Sequence, residues 1–302
     1  MTALTNGKTS ATKEFWAESL ILLHKMKKSL VLGFFDGVHK AHRAVIESVL
    51  NCSDEVTLLT FKESPALHFG HKAEYVLSRK DSVNKIKSLG VNEVVELVFS
   101  EIADISAENY LENIVNTYKP NFISTGFNHT FGFNKTGNPE FLKKNESKYG
   151  YKYICTPPVE VNGEVVSSTL IRNYIKQGKI DYANTLLESN FALEGTVVHG
   201  AKLGRTIGFP TANIKYPDNI VKLPFGVYSA MINNKKTVMN WGMKPTVNNT
   251  QEPVVEAHIL GFDGDLYGQD IRIEVLKQIR CEQKFGSLDE LKTQIHEDIK
   301  KC

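Results

Sequence analysis

The sequence predicts an α/β protein of two domains: a doubly wound parallel-sheet domain over residues 1–187, then over 188–302 a small antiparallel barrel or sandwich closed by a single helix. Three observations predict it. The chain has 302 residues, and a domain takes roughly 150. From Ser29 to about Leu187 short apolar runs alternate with amphipathic stretches, the pattern of strand and helix units on a parallel sheet. After about Ser189 the helical period disappears, and short alternating runs are separated by Gly, Pro and Asn clusters, as in small all-β domains.

The elements follow in order. Ser29 to Phe34, Val56 to Phe61, Glu93 to Val98, Asn121 to Thr125 and Tyr151 to Cys155 are the strands of the first domain. Between them Ser78 caps a helix that stops at Gly90, Ser106 caps one that ends before Pro120, and Asn138 with Pro139 opens a third, each by a recognised start or stop signal. Ligands of such sheets collect at the carboxyl ends of strands, so the loops after Phe34, Phe61 and Thr125 are where chemistry is expected. In the second domain Glu194 to Val198, Val227 to Ile232, Thr237 to Trp241, Val254 to Leu260 and Ile271 to Ile279 read as strands. Ser287 and Glu290 form a capping box for the last helix, whose apolar face is Leu288, Leu291, Ile295 and Ile299. The Lys/Ser/Thr-rich first dozen residues are expected to fray.

Composition narrows the function. Apolar residues make up 41% and charged residues 23%, and 36 Lys plus Arg against 34 Asp plus Glu leave a formal charge of +2, too even to draw the chain onto nucleic acid or an anionic membrane. The apolar stretch Leu20 to Leu23 is too short to span a bilayer and carries no cleavage signal, so a cytoplasmic protein is expected, with neither nucleic acid nor membrane as partner. Cys52, Cys155, Cys281 and Cys302 are scattered without metal spacing and read as buried or idle thiols.

Gly33-Phe34-Phe35-Asp36-Gly37-Val38-His39-Lys40-Ala41-His42 leaves the first strand and enters the helix defined by Val45, Ile46 and Val49. Two histidines three apart at a helix start share a face with exposed backbone N–H groups, a setting that suits a polyphosphate. The segment resembles the H-x-G-H nucleotidylyltransferase signature, and its flanks resemble the adenylyltransferase half of bacterial bifunctional riboflavin kinase/FAD synthetases. The resemblance implies a Rossmann-like nucleotidylyltransferase domain in which Gly33, Phe35, Asp36 and Gly37 meet the nucleotide and His39 and His42 stabilise charge on its phosphates. Where the family has glycine, this chain has Ala41. Ser167-Ser168-Thr169-Leu170-Ile171-Arg172 resembles the family's S-S-T-x-I-R motif, which implies further nucleotide contacts from Ser167, Ser168 and Thr169 and a phosphate-binding fork from Arg172. Gly126-Phe127-Asn128-His129-Thr130-Phe131-Gly132 is similar to a family loop beside the flavin, with Asn128 in place of an acidic residue; Asn128 is an implied flavin contact, and the aromatic density of Phe127, Phe131 and Phe133 suits either an isoalloxazine ring, with Phe131 as a flavin contact, or buried packing. Thr60-Phe61 and Pro65 echo the family's post-strand flavin loop.

In the second half, Gly200-Ala201-Lys202-Leu203-Gly204-Arg205-Thr206-Ile207-Gly208-Phe209-Pro210-Thr211-Ala212-Asn213 is neither a Walker loop nor a protein-kinase loop. Its glycines allow close approach of backbone to phosphate, and Thr211 and Asn213 offer neutral oxygens of the kind that bind Mg²⁺. It resembles the riboflavin kinase signature ending in G-F-P-T-A-N. That implies a small antiparallel β-barrel kinase domain in which Gly200, Lys202, Gly204, Arg205, Gly208 and Pro210 bind ATP and Thr211 and Asn213 the metal. Phe225 to Ser229 and Asn240 to Thr246 are similar to two further family segments, and Val255 to Leu260 resembles the strand whose glutamate is the general base, here Glu256. On a strand Val254, Glu256 and His258 share one face. Tyr228 and Arg280 are the implied flavin contacts of this half, and Trp241, which replaces a smaller aliphatic residue of the family, either stacks on the flavin as a third or fills core.

The resemblance runs from about Ser29 to Asp298. It implies a bifunctional enzyme that phosphorylates riboflavin to FMN and adenylylates FMN to FAD with release of pyrophosphate, using ATP and Mg²⁺ in both steps. Two other readings stay open on sequence alone. Ala41 and Asn128 would mark a decayed adenylyltransferase half if only the kinase works, and a flavin-binding regulator would need no turnover.

Overall fold

The computed structural model describes residues 26–200, 203–245 and 251–302. The expectations for the first dozen residues, for Leu20 to Leu23, for Lys202 and for Thr246 lie outside the described residues. The first domain is a five-stranded parallel sheet in the order β3-β2-β1-β4-β5, with β1 at Lys28–Leu32, β2 at Glu55–Phe61, β3 at Glu93–Leu97, β4 at Phe122–Gly126 and β5 at Lys152–Thr156. The alternation of side chains along a strand explains the double winding. Leu30 and Leu32 of β1 pack on one face with Leu111, Ile114 and Val115 of the helix Ala107–Tyr118. Val31 packs on the other with Val45, Ile46 and Val49 of helix Lys40–Leu50 and Ile86 of helix Arg79–Ser88. The order of strands reverses between β1 and β4, the topological switch point at which such sheets open a crevice.

β1 stops two residues before the expected Phe34. Gly33 still donates to the Leu59 carbonyl, but Phe35 and Val38 then take positive φ values of 57° and 46°, which no strand tolerates. Several elements went unread in the sequence, a hairpin and a helix of the first domain among them. A two-stranded hairpin pairs β6 (Glu160–Val161) with β7 (Glu164–Val165) around Asn162 and Gly163, both left-handed, the dipeptide that two-residue hairpin turns favour. Helix Ile180–Leu187 ends on Glu188, also left-handed, three residues before the first strand of the second sheet.

The second domain is a six-stranded antiparallel sheet in the order β8-β13-β10-β11-β12-β9. β8 is Phe191–Thr196, β9 Ala212–Ile214, β10 Gly226–Ile232, β11 Lys235–Pro245, β12 Gln251–Ile259 and β13 Asp270–Cys281. An antiparallel bridge between Val198 and Asn213 joins the two edges, so the sheet curls into a near-barrel rather than a sandwich. Its interior holds Leu193, Ile214, Tyr228, Met239, Trp241, Val255, Ala257 and Ile273. That core is continuous with Tyr75, Val76, Ile171, Ile175, Ala183 and Leu187 of the first domain, and Tyr75 pairs its backbone with Asn219 and Val221. The two domains therefore share one core, built on the first-domain side by helices and loops rather than by its sheet.

Helix Leu288–Lys300 closes the chain. Ser287 accepts from the Glu290 N–H as a capping box requires, but the Glu290 carboxylate takes the N–H of Gly286 instead of that of Ser287. Leu288, expected on the apolar face, is exposed: it lies in the first turn, before the helix reaches the barrel. What docks the helix is Asp298, 1% exposed, whose carboxylate receives the Arg280 guanidinium at 2.9–3.1 Å. The cysteines are free thiols, but none is fully buried, and Cys155 and Cys281 are exposed. No described helix is long and apolar enough to cross a membrane.

Candidate functional site

The ends of β1 and β4 open into a cleft of about 420 Å³. His39 caps the helix Lys40–Leu50 with its own ring, Nδ1 accepting from the His42 N–H. Its Nε2 lies 3.3 Å from Ser168 Oγ, which donates to the Asp36 carbonyl. Because that hydroxyl hydrogen is committed, Ser168 accepts from His39, which fixes the proton of a neutral His39 on Nε2. The His42 ring stacks on His39 with centroids 3.6 Å apart, and its Nδ1 is buried with no partner among the described residues. Burial first, then the charges of Lys85 and Arg172, holds His39 down at about 3. Burial, His39 and Lys85 hold His42 well below the usual imidazole range. Two neutral imidazoles with an unsatisfied nitrogen form a site that waits for negative charge, since an anion favours the protonated form.

Gly33, Phe35, His39, His42, Ser167, Ser168 and Thr169 line this cleft together, and Ala41, Asn128, Phe61 and Pro65 complete its walls. Motifs about 130 residues apart in sequence thus meet as expected. Asp36 and Gly37 do not reach the cleft. Asp36 is 2% exposed and accepts from the Val76 N–H and from Arg172 Nη2 at 3.0 Å, while a side chain at Gly37 would press on Val76 and Leu187. Arg172 is likewise turned away from the cleft: Nε donates to the Glu74 carbonyl at 2.8 Å and Nη2 to Asp36. A buried carboxylate has to be paired, and Asp36 takes the fork expected to meet phosphate. Phe131 also departs from expectation. It packs among Tyr110, His129 and Phe141 with its ring over Gly137, so it supports the loop from within, while Asn128 and His129 face the cleft. Burial pushes His129 down to about 4; the sequence offered no signal for it beyond its place in that loop.

The barrel carries two cavities that meet at one residue. The larger, about 440 Å³, is lined by Arg205, Pro210, Thr211, Ala257, the loop from Phe262 to Leu266, and Tyr267. The smaller, about 250 Å³, lies between the barrel and the terminal helix and is lined by Gly204, Thr211, Val227, Asn240, Glu256 and Arg280, with Leu291, Ile295 and Asp298 from the helix. Thr211 belongs to both. Asn213 pairs with Glu256 across β9 and β12 and is 5% exposed, and its Oδ1 is buried without a partner among the described residues. A neutral oxygen left in that state, with Thr211 two residues away, suits a hard cation. His258 Nδ1 meets the Pro210 carbonyl at 2.8 Å and its ring meets Phe209 edge-on, so it holds the signature turn in place. Gly204 is required there because a Cβ would lie 2.3 Å from the Phe209 carbonyl, and Gly208 takes a φ of +94°. Gly200 lies against the Asn213 side chain, 2.6 Å from its Oδ1 to a would-be Cβ.

Tyr228 and Trp241 correct the expected flavin contacts. Tyr228 is fully buried with its hydroxyl on the Pro224 carbonyl. Trp241 is 4% exposed, packs on Tyr216 and Phe225, and donates Nε1–H to the Leu223 carbonyl at 3.0 Å. Both fill the barrel interior. Their sequence neighbours Val227 and Asn240 point the other way and line the smaller cavity, because adjacent strand residues face opposite sides of the sheet. Arg280 does line it, while held to Asp298 and over the Phe285 ring at 5.6 Å.

Comparison with known proteins agrees over nearly the whole chain. Residues 23–170 match the FAD synthetase family model and residues 187–302 the riboflavin kinase model. Proteins described as bifunctional riboflavin kinase/FMN adenylyltransferase are similar to it. That of Bacillus subtilis is 30% identical with 92% of both chains covered, and that of Escherichia coli K12 is 34% identical over 89% of this chain and 90% of the other. A solved Streptococcus pneumoniae structure, described as a macrolide-efflux protein, superposes with a TM-score of 0.82 at 30% identity, covering 91% of this chain and 93% of that one.

Proposed function

The chain belongs to the bifunctional riboflavin kinase/FMN adenylyltransferase family, and on that premise we propose how its residues divide the two reactions. It is a transferase with both activities, acting on riboflavin, FMN and ATP. We assign adenylyl transfer to residues 1–187 and the kinase reaction to 188–302.

In the kinase half, ATP takes the larger cavity and the isoalloxazine of riboflavin the smaller, with the ribityl hydroxyl meeting the γ-phosphate beside Thr211, the residue common to both. Glu256, on the flavin side, accepts the hydroxyl proton as the oxygen attacks phosphorus and the bond to the ADP oxygen breaks. Thr211 and the Asn213 Oδ1, which has no partner among the described residues, would hold Mg²⁺, which would neutralise charge on the phosphates. Asn240, Val227 and Arg280 replace Tyr228 and Trp241 as flavin contacts.

In the adenylyltransferase half, an FMN phosphate oxygen attacks the α-phosphorus of ATP and the bond to the β-phosphate oxygen breaks, releasing pyrophosphate. That nucleophile is already ionised near neutral pH, so no base is needed. His39 and His42 lie on the phosphates and take up positive character as charge builds there. Arg172 and Asp36 act from behind, fixing the turn that carries His39. An ATP-dependent synthesis and four free thiols support a cytoplasmic location.

The observation that carries the adenylyltransferase reading, against a kinase with a decayed partner, is the assembled trio of His39, His42 and Ser168. His42→Ala tests it. FAD formation from FMN and ATP is expected to vanish while riboflavin phosphorylation persists; FAD formation at the parent rate would remove His42 from the chemistry.

A further inference from the structure

The turn from Phe35 to Val38 is the most strained backbone near the first cleft. Phe35 and Val38 are left-handed without being glycine, and Gly37 sits at a φ of +87°. Such conformations persist only where surrounding contacts over-determine them. Three of those contacts are already described: Ser168 on the Asp36 carbonyl, and Val76 and Arg172 on the Asp36 carboxylate. The fourth is Lys85. From the helix Arg79–Ser88 its ammonium donates to the Gly37 carbonyl at 3.3 Å, the Leu187 carbonyl at 2.9 Å and Ser189 Oγ at 2.8 Å. Those three donor directions use the whole hydrogen-bonding capacity of an ammonium. Two acceptors lie where the first domain passes into the second, and the third lies two residues before His39.

We propose that Lys85 is a positioning residue for adenylyl transfer, locking the His39 turn to the interdomain junction through the Gly37 carbonyl. This rests on the assignment of adenylyl transfer to the His39 cleft. The charges around Lys85 support it. Arg43 from the helix Lys40–Leu50 pairs with Glu188 at 3.3 Å, and Arg272 from β13 pairs with Asp81 at 2.6 Å and Glu194 at 3.2 Å. These neighbours largely neutralise one another, so the Lys85 charge is felt by His39 and His42. Burial, with Arg43 next, lowers Lys85 itself to about 8. Lys85 thus has two effects on one turn. It fixes the backbone that aims His39, and it disfavours protonation of both imidazoles until phosphate charge arrives.

Full-length Lys85→Met removes charge and donor at similar length, and Lys85→Gln restores a neutral donor. With FMN supplied, Lys85→Met is expected to lower the adenylylation kcat by about 10–100-fold, the scale of small misplacements. The KM values for ATP and FMN should stay within about threefold, because no substrate contact is removed. The limb of the kcat/KM pH profile that these histidines set should move to higher pH, because they lose a repelling charge. Lys85→Gln should recover part of kcat but not the pH shift, and riboflavin phosphorylation by the same proteins should keep its rate. An unchanged adenylylation kcat and pH profile in Lys85→Met would overturn the proposal, as would equal loss of both activities alongside a fall in melting temperature. Parent protein that makes no FAD would instead overturn the underlying assignment of the cleft.

Discussion

Asp298→Asn is the most informative single change in the kinase half. Asp298 is 1% exposed and receives Arg280 through Nε and Nη2, with a further hydrogen bond from Gln294 at 2.9 Å. The amide keeps the size and loses the charge, leaving the Arg280 guanidinium, 17% exposed, without its anion. Breaking such a pair costs about 3–5 kcal/mol. The pair joins β13 to the terminal helix, whose other contacts include the half-buried Leu291 and Ile295 along the smaller cavity and the His296 ring edge-on to Phe209. The loss therefore falls on helix docking and lowers the docked-to-undocked ratio by about 10²- to 4 × 10³-fold, at tenfold per 1.4 kcal/mol. Because Leu291, Ile295 and Asp298 form one wall of the smaller cavity, apparent flavin affinity falls with the docked fraction. The riboflavin KM should rise by up to about 100-fold, the FMN adenylylation rate should hold, and amide exchange should accelerate across Leu288–Lys300. A riboflavin KM within twofold of the parent, in a variant whose helix does exchange freely, would refute the placement of flavin against that helix.

Glu256→Gln should lower riboflavin kinase kcat by about 10²–10⁴-fold with little change in riboflavin KM; a variant that kept kcat and raised only KM would make Glu256 a ligand of the ribityl chain. Ala41→Gly should tighten ATP in adenylylation by up to about 1 kcal/mol if the methyl on the cleft wall crowds nucleotide, and an unchanged ATP KM would show that it does not. His39, held at about 3 against roughly 6.5 when unfolded, binds its proton more weakly in the folded chain. The stability of the neutral ring is therefore complete above about pH 6.5 and declines as pH falls toward 3, by about 2–3 kcal/mol at pH ~4.5. Melting temperature from pH 7 to 4.5 should fall less steeply in His39→Asn than in the parent; parallel curves would contradict the buried neutral ring.

The two-domain α/β plus barrel order was legible because period and punctuation report it. Val31 against Leu30 and Leu32 shows how one strand served two helical layers. The cleft was legible because its motifs lie at strand ends and helix caps, and His39, Ser167 and Ser168 are where those signals lie. What escaped was set by tertiary pairing. Tyr228 and Trp241 sit in the right segments, but which face of a barrel strand turns inward follows from pairing with β11, β12 and β13, which alternation alone leaves symmetric. Arg172 was drawn to Asp36 by a burial that only the folded turn creates. Nothing in the local sequence separates Lys85 from Lys80 or Lys87; its three acceptors come from segments 48, 102 and 104 residues away.

The central claim, that one chain holds two working sites, is tested most directly by chromatography of the products formed when the purified protein is incubated with riboflavin, ATP and Mg²⁺. The account predicts that FMN appears first and FAD follows, with pyrophosphate released as FAD accumulates. FMN that builds up without FAD would contradict the adenylyltransferase assignment of the His39 cleft, and unconverted riboflavin would contradict the kinase assignment of the Thr211 cavities.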